Sequence, residues 1–158
     1  MILILHNIRS VYNVGSIFRT ADAAGVSRII LSGYTPAPVD RFKQPRKDFA
    51  KVSLGAEKTV PWMQTKNVYA AIGAAKLDGS KIVAIEQDER STSLFDLNYD
   101  PKQKLALVLG NEVRGISKAT LAKCDEILEI PMRGKKESLN VSVAAGIALF
   151  TILSRSSL

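Results

Sequence analysis

The chain has 158 residues, enough for one domain with a sizeable core, and its 46% apolar and 23% charged content is that of an ordinary globular protein. One cysteine excludes an internal disulfide, one cysteine and one histidine leave no metal-ligand cluster, and the longest apolar run, Val143 to Leu153, is too short to span a bilayer. The net charge of +7 favours a polyanionic partner.

The N-terminus begins directly with the strand-like Ile2-Leu-Ile-Leu5, so no signal peptide is expected and a cytoplasmic setting is. Ile2 to His6 reads as a short buried strand. Val14 to Ala24 reads as a helix, with Val14, Ile17, Phe18, Ala21 and Ala24 near one face, Asn13 as N-cap and Gly25 as the stop. Arg28 to Leu31 reads as a second strand. A basic, proline-punctuated stretch follows and predicts a loop with at most a short helix. Asn67 to Leu77 reads as a helix, and Asp78-Gly79 turns it into the strand Lys81 to Ile85. Lys104 to Leu109 is a further strand, Ser117 to Ala122 a short helix, and Glu126 to Ile130 a strand. The last helix runs from Ser138, its expected N-cap, to Leu153. Strands alternating with helices predict an α/β domain with an open, mainly parallel sheet.

That last helix is apolar on nearly all sides, from Val141 through Phe150 to Leu153. Such a helix is either buried all round or covered by a partner chain, and a homodimer is the expectation. Basic charge is concentrated in one segment. Arg41, Lys43, Arg46, Lys47, Lys51 and Lys58 stand against Asp48 and Glu57, which puts +4 of the +7 between residues 41 and 58. Arg133, Lys135 and Lys136 form a second basic cluster.

Three distant segments carry the chemistry. They are Asn13-Val-Gly-Ser-Ile-Phe-Arg19, Leu109-Gly-Asn-Glu112-Val-Arg-Gly115 and Ile130-Pro-Met-Arg-Gly-Lys-Lys-Glu-Ser138-Leu-Asn140. Arg19 lies about two turns along its helix. Its guanidinium suits bidentate phosphate binding, and the alternative is a surface pair with Asp22 at i,i+3. Asn13 caps the helix, orients Arg19, or does both. Gly15 allows a backbone or ligand to approach closely. Gly110 follows a strand at the edge where open α/β sheets bind ligands. Glu112 is either functional or a loop carboxylate pairing with Arg114 or Lys118. Asn7 is a weaker candidate. His6, the only histidine, is expected to pack at the end of its strand rather than act as a base. Cys124, without a local histidine, is expected in a helix–strand turn rather than as a nucleophile. Trp62 is expected to pack on the domain rather than stack on a base. The Gly110-x-x-x-x-Gly115 spacing lacks the lysine and hydroxyl of a phosphate loop, which argues against a nucleotide hydrolase.

In order and spacing, the three segments and the apolar stretch after Asn140 resemble the SpoU/TrmH branch of the knotted RNA methyltransferases, over nearly the whole chain from His6. The resemblance implies transfer of a methyl group from S-adenosylmethionine to a ribose 2′-hydroxyl of tRNA or ribosomal RNA, with no metal. The short length leans to tRNA. Arg19 would contact RNA phosphate and help deprotonate the hydroxyl, although an arginine base is chemically awkward. Asn13 would position the substrate, and Glu112, Ser138 and Asn140 would support the active site. Backbone at Leu109, Gly110, Ile130, Met132 and Leu139, together with Ser138, would cradle the cofactor. Arg19, Arg41, Lys43, Arg46, Lys47, Lys51, Arg133, Lys135 and Lys136 would hold RNA. Relatives thread the third segment into a deep trefoil knot and are obligate dimers. Where many relatives have a glycine after the glutamate, this chain has Val113, which leaves the local backbone conformation open. Residues 1–158 read as one catalytic domain without an added RNA-binding module. Two other readings stay open: a non-catalytic RNA-binding protein that keeps this fold, and a small-molecule α/β enzyme whose charge is incidental.

Overall fold

The structure is a computed structural model and describes residues 1–155. Inside its sheet, with a strand on either side, stands β1 (Ile2–His6). Its apolar residues are buried on both faces, as a central parallel strand requires. Side chains alternate along a strand, so Leu3 and Leu5 enter one core while Ile2 and Ile4 enter another. The same division continues in β4 (Lys81–Ile85), where Val83 faces one way and Ile82 and Ala84 the other. In β6 (Leu105–Leu109) the leucines take the first core, and Ala106 and Val108 the second.

The expected open parallel sheet is present, with seven strands in the order β3-β2-β1-β6-β4-β7-β5. The remaining strands are β2 (Arg28–Ser32), β3 (Trp62–Thr65), β5 (Thr92–Ser93) and β7 (Glu126–Glu129). Every pairing between them is parallel. α1 (Val11–Ala23), α2 (Lys47–Ser53) and α6 (Val141–Arg155) bury residues in the first core. α4 (Val68–Leu77) and α5 (Lys118–Leu121) cover the second. Among the described residues, no helix is long and apolar enough to cross a membrane.

The basic segment holds more structure than its prolines suggest: α2, the single turn α3 (Ala56–Thr59), and then the edge strand β3. Neither β3 nor the two-residue β5 was expected. Trp62-Met-Gln-Thr65 has too little apolar alternation to announce a strand, and pairing with β2 makes it one. Trp62 packs at the margin of the first core, as expected. Gly15 serves backbone approach rather than a ligand, since a Cβ there would meet Val52 Cβ at 3.0 Å and the Phe49 carbonyl oxygen at 3.3 Å. Phe18 and Phe49 lock the same contact edge to face, with centroids 5.2 Å apart and planes at 82°.

Both expected N-caps are corrected. α1 starts three residues early, and Ser10 caps it by accepting from the Asn13 N–H at 3.2 Å. α6 starts at Val141, and Asn140 caps it by accepting from the Ser142 N–H at 2.8 Å. In each case the asparagine or serine first chosen has other partners or lines a cleft. The stop at Gly25 is as expected: its N–H donates to Asp22 O, and the Val26 N–H donates to Ala21 O, a Schellman pair.

Because Phe18 and Phe49 are both fully buried, Phe18→Ala is expected to lower unfolding free energy by about 3–5 kcal/mol. Urea denaturation checks this. A loss below about 1 kcal/mol would mean that α1 does not depend on this aromatic pair.

Candidate active site

The carboxyl end of β6 starts the site. Gly110 passes so close to the end of its own loop that a Cβ would meet Ile116 Cγ1 at 2.6 Å and the Gly115 carbonyl carbon at 2.8 Å. Only hydrogen fits there. The loop closes where the Gly115 N–H donates to Asn111 O at 2.9 Å. Asn111 braces it from within: its Oδ1 accepts from the Val113 and Arg114 N–H groups at 3.0 and 2.8 Å. Val113 is exposed and does not have positive φ, so its replacement of glycine is conformationally harmless.

This loop delivers Glu112 to the start of α1. Its Oε2 accepts from the Arg9 N–H at 3.0 Å, and its Oε1 accepts from the Ser10 N–H at 3.2 Å and from Asn13 Nδ2 at 3.1 Å. Pairing with Arg114 or Lys118 is therefore not what Glu112 does. A carboxylate here also meets the positive end of the helix dipole. Burial pushes the Glu112 carboxyl up, but the hydrogen bonds from Arg9, Asn13 and Ser10 outweigh it, and the net result lies below the ordinary value. Asn13 is buried and works at both ends of its amide. While its Nδ2 donates to Glu112, its Oδ1 accepts from Asn140 Nδ2 at 3.1 Å. Asn140 Oδ1 in turn accepts from the Ser142 N–H and hydroxyl. One residue from each of the three segments thus enters a single hydrogen-bond chain.

Beside this chain lies a cleft of ≈ 200 Å³ at the carboxyl ends of β4, β6 and β7. Leu109, Gly110, Ile130, Met132, Ser138 and Leu139 all line it, as does Glu112. Among the described residues, no hydrogen bond engages the backbone N–H of Met132 or Leu139. Two residues missed in the sequence, Glu86 and Gln87, complete the wall. Glu86 Oε2 accepts from the Ile116 N–H at 2.8 Å, and Gln87 Nε2 donates to Glu137 O at 2.8 Å. Their place just after a strand was the signal that marked them. Asn111 was also missed; besides bracing its own loop it lines the cleft, and its Nδ2 donates to Asn7 O and to the Tyr34 hydroxyl.

Arg19 does not line this cleft. It is exposed, six residues beyond Asn13 and so about 9 Å further along the helix. Among the described residues it has no ion pair, and the Asp22 carboxylate accepts instead from the Thr59 hydroxyl. The basic residues also stand outside the cleft. Arg41, Lys43, Lys47, Lys51, Arg133, Lys135 and Lys136 are exposed. Arg46 is the exception, committed to Asp48 through two hydrogen bonds at 3.1 and 2.7 Å. His6 packs at the end of its strand, with Nδ1 2.8 Å from Ser32 Oγ, and burial lowers its pKa. Cys124 lies in the turn between α5 and β7, where burial pushes the thiol up to about 11. It is a poor nucleophile at neutral pH.

A family model described as the SpoU rRNA methylase family matches residues 1–150. The chain belongs to the SpoU rRNA methylase family. It is 38% identical over 150 residues to a 23S rRNA (guanosine-2′-O-)-methyltransferase of Burkholderia sp, covering 95% of this chain and 57% of that protein. The chain thus spans a little over half the length of the curated SpoU relatives it matches. Two solved structures are close in fold. The AdoMet-bound rRNA methyltransferase of Sinorhizobium meliloti aligns with TM-score 0.86 at 29% identity, over 97% of this chain and 55% of that one. The A. aeolicus TrmH/SpoU tRNA modifying enzyme aligns with TM-score 0.83 at 28% identity, over 99% of this chain and 75% of that one.

A carboxyl held below its ordinary pKa contributes stability that is present above the unfolded-state value and lost as pH falls through the folded one. Glu112→Gln is expected to cost about 1 kcal/mol at pH 7. The gap to wild type should close as pH drops below about 4. Urea midpoints across a pH series measure it, and a gap unchanged into acid would show that the Glu112 charge is not what holds the start of α1.

Proposed function

We propose that this chain is an S-adenosylmethionine-dependent 2′-O-methyltransferase of ribosomal RNA, working as a homodimer in the cytoplasm. The observation that carries the reading is the convergence of three distant segments on one cleft, in a chain similar to 23S rRNA guanosine-2′-O-methyltransferases. The tRNA preference expected from length gets no support from those relatives. Retention of the fold without turnover is not favoured, since all the matched site residues are present.

The cleft fits the cofactor in kind. It combines apolar residues such as Leu109, Ile130 and Leu139 with polar groups, two disengaged backbone N–H groups and a glycine where any side chain would intrude. Bound there, S-adenosylmethionine supplies an electrophilic methyl group. Backbone at Leu109, Gly110, Ile130, Met132 and Leu139 would hold it, with Ser138 at the wall. Asn13, fixed by Glu112 and Asn140, would present the ribose, and Arg19 would grip a phosphate and so orient the 2′-hydroxyl toward the cofactor. As the cofactor's methyl–sulfur bond gave way to the new C–O bond, with its electron pair left on sulfur, the hydroxyl proton would pass to solvent, and Arg19 would assist its loss by stabilising negative charge on that oxygen. Arg41, Lys43, Lys47, Lys51, Arg133, Lys135 and Lys136 hold the RNA backbone, so affinity falls with salt. Arg46, paired with Asp48, contributes least of the cluster. The chain acts as a single catalytic domain, and the passage from Ile130 to Asn140 forms the knot of its family.

Unmodified ribosomal RNA and tRNA, incubated with labelled S-adenosylmethionine and then hydrolysed in alkali, test this. Label is expected in alkali-resistant dinucleotides from ribosomal RNA, and label in mononucleotides would overturn ribose methylation. Arg19→Lys is expected to lower kcat about 100-fold or more, because lysine lacks the fork that aligns phosphate. A change within twofold would remove Arg19 from the mechanism.

The dimer is supported by α6, which leaves Val143 and Phe150 half exposed, seven residues apart on one stripe. Phe150→Asp is expected to convert a sedimenting dimer into a monomer. A wild-type chain that is already monomeric at micromolar concentration would overturn the dimer.

A further inference from the structure

The connection from β2 to α2, residues 33–46, carries two aromatic rings that neither core uses. Tyr34 is 58% exposed and Phe42 is 67% exposed. Both are held in place. The Tyr34 hydroxyl accepts from Asn111 Nδ2 at 3.0 Å, and its N–H donates to Asn7 Oδ1 at 3.2 Å. The ring is thereby tied to the same loop that carries Glu112, and Asn111 lines the cleft.

Phe42 sits at the tip of a closed turn. Asp40 Oδ1 accepts from the Phe42 N–H at 2.8 Å and from the Gln44 N–H at 3.0 Å. The Asp40 N–H donates to Gln44 O at 2.9 Å, and Val39 and Pro45 form an antiparallel bridge below. The Arg41 guanidinium lies over one face of the Phe42 ring, 4.7 Å from its centroid. Among the described residues, neither Arg41 nor Lys43 has an ion pair or a side-chain hydrogen bond.

We propose that this connection is a stacking surface for unpaired nucleotides. Phe42 takes a base on the ring face opposite Arg41, and Tyr34 takes one beside the cleft. The proposal rests on the RNA reading above and narrows it to RNA whose bases are splayed out of a helix. An apolar protein partner would have to bury two unpaired cations along with the Phe42 ring, at a heavy desolvation cost. A nucleotide satisfies both halves together, offering a π-face to the ring and a phosphate to Arg41 and Lys43. Duplex RNA keeps its base faces stacked internally and offers nothing to either ring.

The full chain is titrated with a short fluorescein-labelled oligouridylate and with an RNA duplex of the same length, and anisotropy is followed. Phe42→Ala and Tyr34→Ala are each expected to weaken oligouridylate binding about tenfold and leave duplex binding unchanged. Phe42→Trp is expected to restore it. Phe42→Ala should keep the wild-type salt slope, since no phosphate contact is removed, whereas Arg41→Ala should lower that slope by about one.

Wild-type affinity in Phe42→Ala, or equal losses on both RNAs, overturns the proposal. So does a Phe42→Ala chain that sediments differently from wild type, which would assign the ring to a contact between copies. If the wild-type chain methylates ribosomal RNA and the KM for that RNA is unchanged in both alanine variants, the stacking surface fails and the proposed function stands. Binding of neither RNA by the wild-type chain overturns both.

Discussion

The carboxylate of Glu112 at the head of α1 is the contact on which the site depends. A helix begins with N–H groups that have no partner inside it. Here a loop from another part of the sheet reaches across to the Arg9 and Ser10 N–H groups, while Ser10 itself caps the first turn. The same carboxylate takes one end of the Asn13 amide, and Asn140 takes the other. An asparagine amide can donate and accept together, so three chain segments more than 100 residues apart in total share one geometry. With Asn140 also capping α6, one hydrogen-bond chain ties the start of α1 to the start of α6.

The cleft follows from where the strands end. β4, β6 and β7 are parallel neighbours, so their carboxyl ends open on the same edge. The loops leaving them must then share a small space. Gly110 passes its neighbours at a separation no side chain allows, Glu86 ties the β6 loop to the end of β4, and Gln87 ties that end to the third segment. These are structural bonds, but their effect is to leave a concavity that combines aliphatic side chains with backbone and polar groups. Apolar surface with a few convergent polar groups is the usual make-up of a small-molecule site.

Charge is distributed differently. The cleft contains the ionised Glu112, and the exposed cations of the two basic clusters stand outside it, on the β2–β3 connection and on the third segment. On the proposed function, cofactor binding and RNA binding would therefore draw on separate physics. The first depends on fit and a few hydrogen bonds, and the second on counterion release over a wide surface. Arg19 belongs with the second group by exposure and with the first by sequence motif, which makes it the residue that links them.

Much of the architecture was legible from residue order. Apolar runs at Ile2, Lys81 and Leu105 announced strands, Gly25 announced a helix stop, and the three segments pointed to one site because their spacing matched a family. Local chemistry sufficed where a neighbour in sequence is also the neighbour in space. It did not suffice for caps. Asn13 and Ser138 are good capping residues by type, yet Ser10 and Asn140 hold those positions, because Asn13 is drawn to Glu112 and Asn140 while Ser138 faces the cleft. β3 was invisible because its pairing with β2, not its own pattern, makes it a strand. What the chain alone determined is its alternation of strands and helices, its basic surface and its set of reactive residue types. What only the tertiary structure decided is which of those residues meet, because hydrogen bonds between segments about a hundred residues apart leave no periodicity in the sequence.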